Sequence, residues 1–219
     1  MTGEVGRSGY GVGMAAKAEH EKSPREPAQA IRTVPIGAAP WGDVRAVFGT
    51  RGNPSRCWCQ YFKLSGSTWR GTDAATCEAA LREQARHEPG PGLIAYLGGE
   101  PAGWVGIEPR PAYPRLSGTR VVVQGSAELQ DDPTVWAATC FVVRVGFRRR
   151  GIGSALLRSA IEHARTAGAR VVEGYPVDVA ERRPSAADLY HGTLASFLAA
   201  GFEIVSRPQP GRAVVRLEF

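Results

Sequence analysis

Lysine is scarce in this basic chain. Of its 27 Lys and Arg residues only Lys17, Lys22 and Lys63 are lysines, and against 21 Asp and Glu the net charge is +6. The arginines are scattered over many segments, and no motif that reads DNA or RNA accompanies them, so a nucleic-acid partner is not expected. Acidic lipid or a phosphate-rich cofactor stays open on charge alone. Long apolar runs are also missing. None reaches the roughly 18–20 residues of a membrane helix, and no apolar stretch follows basic residues at the N-terminus as a secretory signal requires. A membrane-spanning, coiled-coil or collagen-like chain is therefore excluded, and no membrane partner is expected.

Cysteine is sparse too: Cys57, Cys59, Cys77 and Cys140. Cys57-Trp58-Cys59 puts its thiols too close for a zinc knuckle, no Cys or His pair follows at finger spacing, and His87, His163 and His191 are scattered. No metal site is expected. Cys140 lies in an apolar run and reads as a small core hydrophobe. Without an export signal, reduced thiols in a cytoplasmic protein are the simplest account.

What remains is ordinary for a globular protein: 219 residues, 43% hydrophobic and 22% charged, enough for one domain plus a tail. Residues 1–30 carry Gly, Ser, Pro and mixed charge with few large apolar side chains, and such a segment is expected to be a disordered tail. The folded domain is expected over 31–219. Strands are predicted at Ile31–Ile36, Leu93–Leu97, Gly103–Ile107, Val135–Val143, Arg170–Tyr175, Phe202–Val205 and Ala213–Leu217, with a Pro-interrupted link (Pro109, Pro111, Pro114) running to Val121–Val123. Helices are predicted over 40–48, 73–87, 151–167 and 186–200. Val135–Val143 is the longest apolar run and reads as a central buried strand. The order implies an α/β or α+β fold.

Chemistry concentrates in Val143–Leu157. Arg148-Arg149-Arg150-Gly151-Ile152-Gly153-Ser154 follows a predicted strand and opens a predicted helix. Glycines let backbone N–H groups approach a ligand closely, and a helix N-terminus offers unsatisfied donors and the positive dipole end. The arginines add potential, and together these make a pyrophosphate site. A Walker loop would need Lys, which is absent. A Rossmann fingerprint would need a third Gly where Leu156 stands.

The segment Arg148-x-x-Gly151-x-Gly153 resembles the signature of the GNAT superfamily of N-acetyltransferases, and the likeness extends over roughly residues 31–219. It implies a GNAT-like fold: a central, mixed, mostly antiparallel twisted sheet of six to seven strands flanked by about four helices. It implies acetyl-CoA, or coenzyme A after transfer, as co-substrate without a metal. The pantetheine arm would lie along the fourth strand, at Phe141, Val142 and Val143. The pyrophosphate would be held at Arg148, Arg149, Arg150, Gly151, Ile152, Gly153 and Ser154. Acetyl would pass directly to a primary amine of a small molecule or a protein, by a monomer or a homodimer. The chain departs from the pattern where the family's thiol-protonating Tyr is expected, since Phe197 stands there, and Val135–Val143 carries no acid. Glu173 is then the expected water-linked base and Tyr190, two helical turns before 197, the expected acid. Glu173 reads equally as the partner of an arginine, Tyr190 reads also as core packing, and His163 and His191 read as surface residues on helices. The aromatic stretch Cys57–Phe62 reads as either acceptor-site wall or core. A CoA-binding regulatory module with little turnover is the second function that the resemblance allows.

Overall fold

In the computed structural model, which describes residues 1–3 and 30–219, the chain runs through seven strands and eight α-helices. Residues 4–29, most of the expected tail, lie outside the described residues. The elements are β1 (Ile31–Pro35), α1 (Trp41–Phe48), α2 (Pro54–Cys57), α3 (Gly66–Gly71), α4 (Ala74–Gln84), β2 (Gly92–Leu97), β3 (Glu100–Pro109), α5 (Pro114–Ser117), α6 (Arg120–Gly125), β4 (Val135–Val143), α7 (Ile152–Thr166), β5 (Val171–Gly174), α8 (Leu194–Leu198), β6 (Glu203–Gln209) and β7 (Arg212–Glu218). Among the described residues no helix is long and apolar enough to cross a membrane.

The strands form one sheet in the order β1-β2-β3-β4-β5-β7-β6, antiparallel throughout except for the parallel pair β4–β5. Side chains alternate across it, as a pleated strand requires. Leu93, Ala95 and Leu97 of β2 meet the stripe Ile152, Leu156, Leu157, Ala160, Ile161 and Ala164 of α7 on one face. Ile94 and Tyr96 turn to the other face, where Val44, Val47 and Phe48 of α1 and Leu81 of α4 close a second core. Each fully buried Leu or Ile contributes about 1.5–3 kcal/mol, so the two layers hold the sheet from both sides. β4 is the hinge of the design, buried along most of its length with α7 and β5 after it.

The Pro-interrupted link ends in helix α6, which holds Val121–Val123 because the Thr119 hydroxyl caps the Val122 N–H and Gly125 packs against Ser206 and Val214. One predicted element differs. The helix expected over 186–200 is broken. Asp188–His191 is a single 3-10 turn, Gly192 turns the chain at φ 76°, and Thr193 caps the short α8. Tyr190 and Phe197 therefore do not share one helical face.

The break matters for the sheet. β5 pairs with β4 only from Val135↔Val171 to Ala138↔Gly174. At Gly174 a Cβ would lie 2.2 Å from the Phe197 ring, so the phenyl group seals the end of β5. β4 continues five residues further, to Val143, and the two strands part.

Candidate active site

The fork between β4 and β5 is one half of the site. The Arg144 N–H donates to the Ala102 carbonyl of β3. By strand alternation the backbone groups of Phe141 and Val143 then point the opposite way, into the fork. The Val143 carbonyl indeed accepts from Arg148 Nε there, at 3.3 Å. Beyond β4 the chain makes one 3-10 turn, Val145–Phe147, and then two left-handed residues, Arg149 at φ 59° and Gly151 at φ 81°. An L side chain at such a φ costs roughly 1 kcal/mol, and Arg149 bears that cost without being glycine. Alternating handedness of this kind turns successive N–H groups toward one point, a concavity suited to anions. Helix α7 starts immediately, with Gly151 as its N-cap and no side chain capping it. The Ala155 N–H is the first to bond back, to the Gly151 carbonyl, which leaves the N–H groups of Ile152, Gly153 and Ser154 without intrahelical acceptors.

These features border a cleft of about 730 Å³ whose lining includes Phe141, Val142, Val143, Arg144, Arg148, Gly153 and Tyr190. Ile152 turns its side chain into the core, so only its backbone is available to a ligand. The arginines around the cleft are fixed in part. Arg144 donates to the Pro101 carbonyl at 2.5 Å, and both Arg144 and Arg150 sit over the Phe147 ring.

A second cavity, about 740 Å³, opens on the α1 side of the sheet and shares Phe48, Pro54, Val142 and Tyr190 with the cleft. Its walls include Tyr61, Phe62, Trp69, Cys57, Cys59, Cys140 and His191. Tyr190 stands at the junction, and burial raises its phenol above the ordinary value, keeping it protonated at neutral pH. The His191 ring lies 5.7 Å from the Phe62 ring, and its Nδ1 is 3.2 Å from the Thr139 carbonyl oxygen. A carbonyl can only accept, so Nδ1 carries the hydrogen and Nε2 keeps its lone pair. Burial first, and the Arg212 guanidinium second, push the imidazole down to about 4, so it is neutral at physiological pH. Cys57 and Cys59 are inert by contrast. Burial, with Cys59 beside it, drives Cys57 up to about 12. The hydrogen bond with Cys140, followed by burial, drives Cys59 well above its usual range, and a protonated thiol is a poor nucleophile. Among the described residues no three His, Cys, Asp or Glu side chains are grouped to hold a metal ion.

The family model of the acetyltransferase (GNAT) family matches residues 58–192, more than half the chain and including β4, the loop and the start of α7. The chain belongs to the GNAT family. Solved structures share the fold. A ribosomal-protein-alanine N-acetyltransferase from Brucella melitensis is 18% identical, covering 87% of this chain and 99% of its own, with a TM-score of 0.50. The yncA structure from Salmonella typhimurium, which contains its cofactor acetyl-CoA, is 16% identical over 88% of this chain and 94% of its own, also at 0.50. No protein of curated function matches the sequence significantly.

Within this GNAT domain the two residues expected to do acid–base work are not brought together. Tyr190 lies at the meeting of the two cavities. Glu173 does not. It is fully buried in β5 and borders neither cavity. Its Oε2 accepts from Arg110 Nη1 at 2.7 Å and from the Tyr175 hydroxyl at 2.8 Å, and its Oε1 accepts from Ser126 at 2.6 Å. Arg110 also donates to the carbonyls of Glu128 and Leu129. The carboxylate is thus consumed by a closed ion pair, for the physical reason that a buried charge is retained only when paired. His191, read from the sequence as a surface residue, lines the second cavity instead. The Gly192 that follows it was the available signal, since a glycine there breaks the helix and lets the preceding turn fold onto β4.

Proposed function

We propose that the chain is an acetyl-CoA-dependent N-acetyltransferase that passes acetyl directly to a primary amine, and that it works in the cytoplasm. The observation that carries this reading is the meeting of two cavities at Tyr190, with the anion-binding loop on one side and the neutral imidazole of His191 on the other. The residues present fit acetyl-CoA. The inward-facing backbone of Phe141 and Val143 suits the pantetheine amides. The N–H groups at the start of α7, with Arg148, Arg149 and Arg150 around them, suit the pyrophosphate. Acetyl-CoA supplies the activated acetyl thioester. The supporting comparison is yncA, whose structure contains that cofactor. The four free cysteines suit a reducing compartment.

The chain's own groups then divide the proton work. An amine attacks only when its nitrogen has a free lone pair. His191 Nε2, held open because Nδ1 is tethered to Thr139, accepts the amine proton. Tyr190, protonated and on the border between the cavities, donates toward the departing sulfur. Phe48, Pro54 and Val142 give the junction an apolar wall beside Tyr190. The reading is tested by calorimetry with acetyl-CoA and by thiol release over a panel of amines. Binding should raise the melting temperature, by about 2.7 kcal/mol of added stability at a hundredfold excess over the dissociation constant, and at least one amine should release CoA. Absence of binding at saturating acetyl-CoA overturns it. Binding without release for any amine would instead identify a CoA-binding module.

A further inference from the structure

We infer that the acceptor is a monoamine with an aromatic or large apolar body and one anionic group, an aromatic amino acid in chemical class. This rests on the acetyltransferase reading and narrows it.

The charges around the acceptor-side cavity are the basis. Two carboxylates border it, Asp73 and Asp188, and each has partners within the fold. Asp73 caps α4, its Oδ1 accepting the Thr76 N–H at 2.8 Å, so its charge faces the positive end of that helix. Asp188 accepts from the Ser185 N–H and hydroxyl and pairs with Arg182 at 2.8 Å and Arg212 at 3.7 Å. Asp188 is thus matched by arginines, and Asp73 is left as the one lining carboxylate without an arginine partner, so with Arg56 and Arg70 beside it the lining carries a net positive charge and disfavours a polycation. The cations differ. Arg56 and Arg70 border the same cavity, and among the described residues neither guanidinium forms an ion pair or a hydrogen bond. Two guanidinium groups at an aromatic cavity favour a carboxylate or a similar anion, which they can bind in a charge-assisted, bidentate way. The body of the ligand is set by the walls. Tyr61 meets Trp69 edge-on at 5.3 Å and Phe62 at 5.0 Å, and rings so arranged prefer a further ring or a broad apolar group. The volume, about 740 Å³, suits a small molecule of that size.

The test compares matched amines that differ only in the carboxylate: tryptophan with tryptamine, and phenylalanine with phenethylamine, with spermidine as the polycation. Wild-type enzyme and the double variant Arg56→Gln, Arg70→Gln are assayed by thiol release, and acetyl-CoA affinity is measured for both. The wild type is expected to favour the carboxylate-bearing member of each pair. In the double variant that preference should fall by at least about tenfold, through KM of the carboxylate-bearing member, with acetyl-CoA affinity retained. If the preference is absent, survives the double substitution, or gives way to spermidine, while some amine is still acetylated, this inference falls and the acetyltransferase reading stands. If acetyl-CoA does not bind and no amine is acetylated, both fall.

Discussion

Replacing His191 with Asn separates the imidazole's two roles, because the Asn amide nitrogen takes the place of Nδ1 and keeps the donor to the Thr139 carbonyl, now 3.2 Å away, while Nε2 is deleted. A positioned general base is worth about 10²–10⁴ in rate, or roughly 3–5 kcal/mol of barrier. An imidazole held near 4 is a weak base, so His191→Asn should lower kcat toward the low end of that range, about 10², with acetyl-CoA affinity unchanged. Stability supplies a second readout. The groups facing the ring are the Thr139 carbonyl of β4, Arg212 of β7, Phe62, and Asp188 of its own turn. Burial and Arg212 outweigh Asp188, so the folded value is about 4 against 6.5 for an ordinary histidine. Above pH 6.5 neither state is protonated and the effect vanishes. Between pH 6.5 and about 4 the unfolded chain takes up a proton that the folded chain refuses, so wild-type stability falls as pH falls, by roughly 3 kcal/mol in full. The Asn variant lacks this loss. It should be less stable than wild type at pH 7, through the lost contact with Phe62, and recover relative to it at pH 5. Urea unfolding at both pH values measures this. A wild-type-to-variant difference that does not change with pH, together with an unchanged kcat, would refute the reasoning.

Tyr190→Phe should lower kcat while acetyl-CoA binds as before, checked by thiol release and calorimetry. Gly153 borders the cleft, and a Cβ there meets nothing within 4 Å. Gly153→Ala should keep or slightly raise the melting temperature, by up to about 1 kcal/mol, yet weaken acetyl-CoA binding by at least about tenfold. Gly151→Ala, forced to φ 81°, should cost about 1 kcal/mol in denaturant unfolding. Glu173→Gln leaves the buried Arg110 charge unpaired and should cost about 3 kcal/mol. The surviving folded enzyme should keep its kcat, which a base at position 173 would forbid.

The parts of this structure legible in the sequence are those encoded by local pattern. The apolar run Val135–Val143 and the i, i+4 stripe from Ile152 to Ala164 specify a buried strand and an amphipathic helix without reference to anything distant. The Arg-Gly-Ile-Gly segment between them marks a phosphate-type loop for the same reason. The left-handed turn at Arg149 was not legible, because a non-glycine residue bears that conformation only under tertiary constraint. Val121–Val123 has strand-forming side chains, but a Thr119 cap and the packing of Gly125 on β6 and β7 decide in favour of a helix. The pattern over 186–200 is helical, while Gly192 and the capping Thr193 divide it, and only the folded chain shows His191 brought onto the Thr139 carbonyl. Glu173 illustrates the opposite limit. A lone acid in an apolar strand announces that it has a partner, but Arg110 lies 63 positions away in sequence, and no local spacing identifies it.

The fork between β4 and β5 also has a topological meaning. Unpaired strand edges invite other chains to add on, and proteins ordinarily blunt them. The rim edges of this sheet belong to β1 and β6, whereas the fork is a notch in its interior, walled by α7 on one face and by the Asp188–His191 turn beyond. An added strand pairs along an edge that faces outward, and this stretch of β4, from Thr139 to Val143, lies between β3 and the continuation of β5 instead of on the rim. The fold thus keeps an open run of backbone in the middle of the sheet, away from the edges where association between molecules begins.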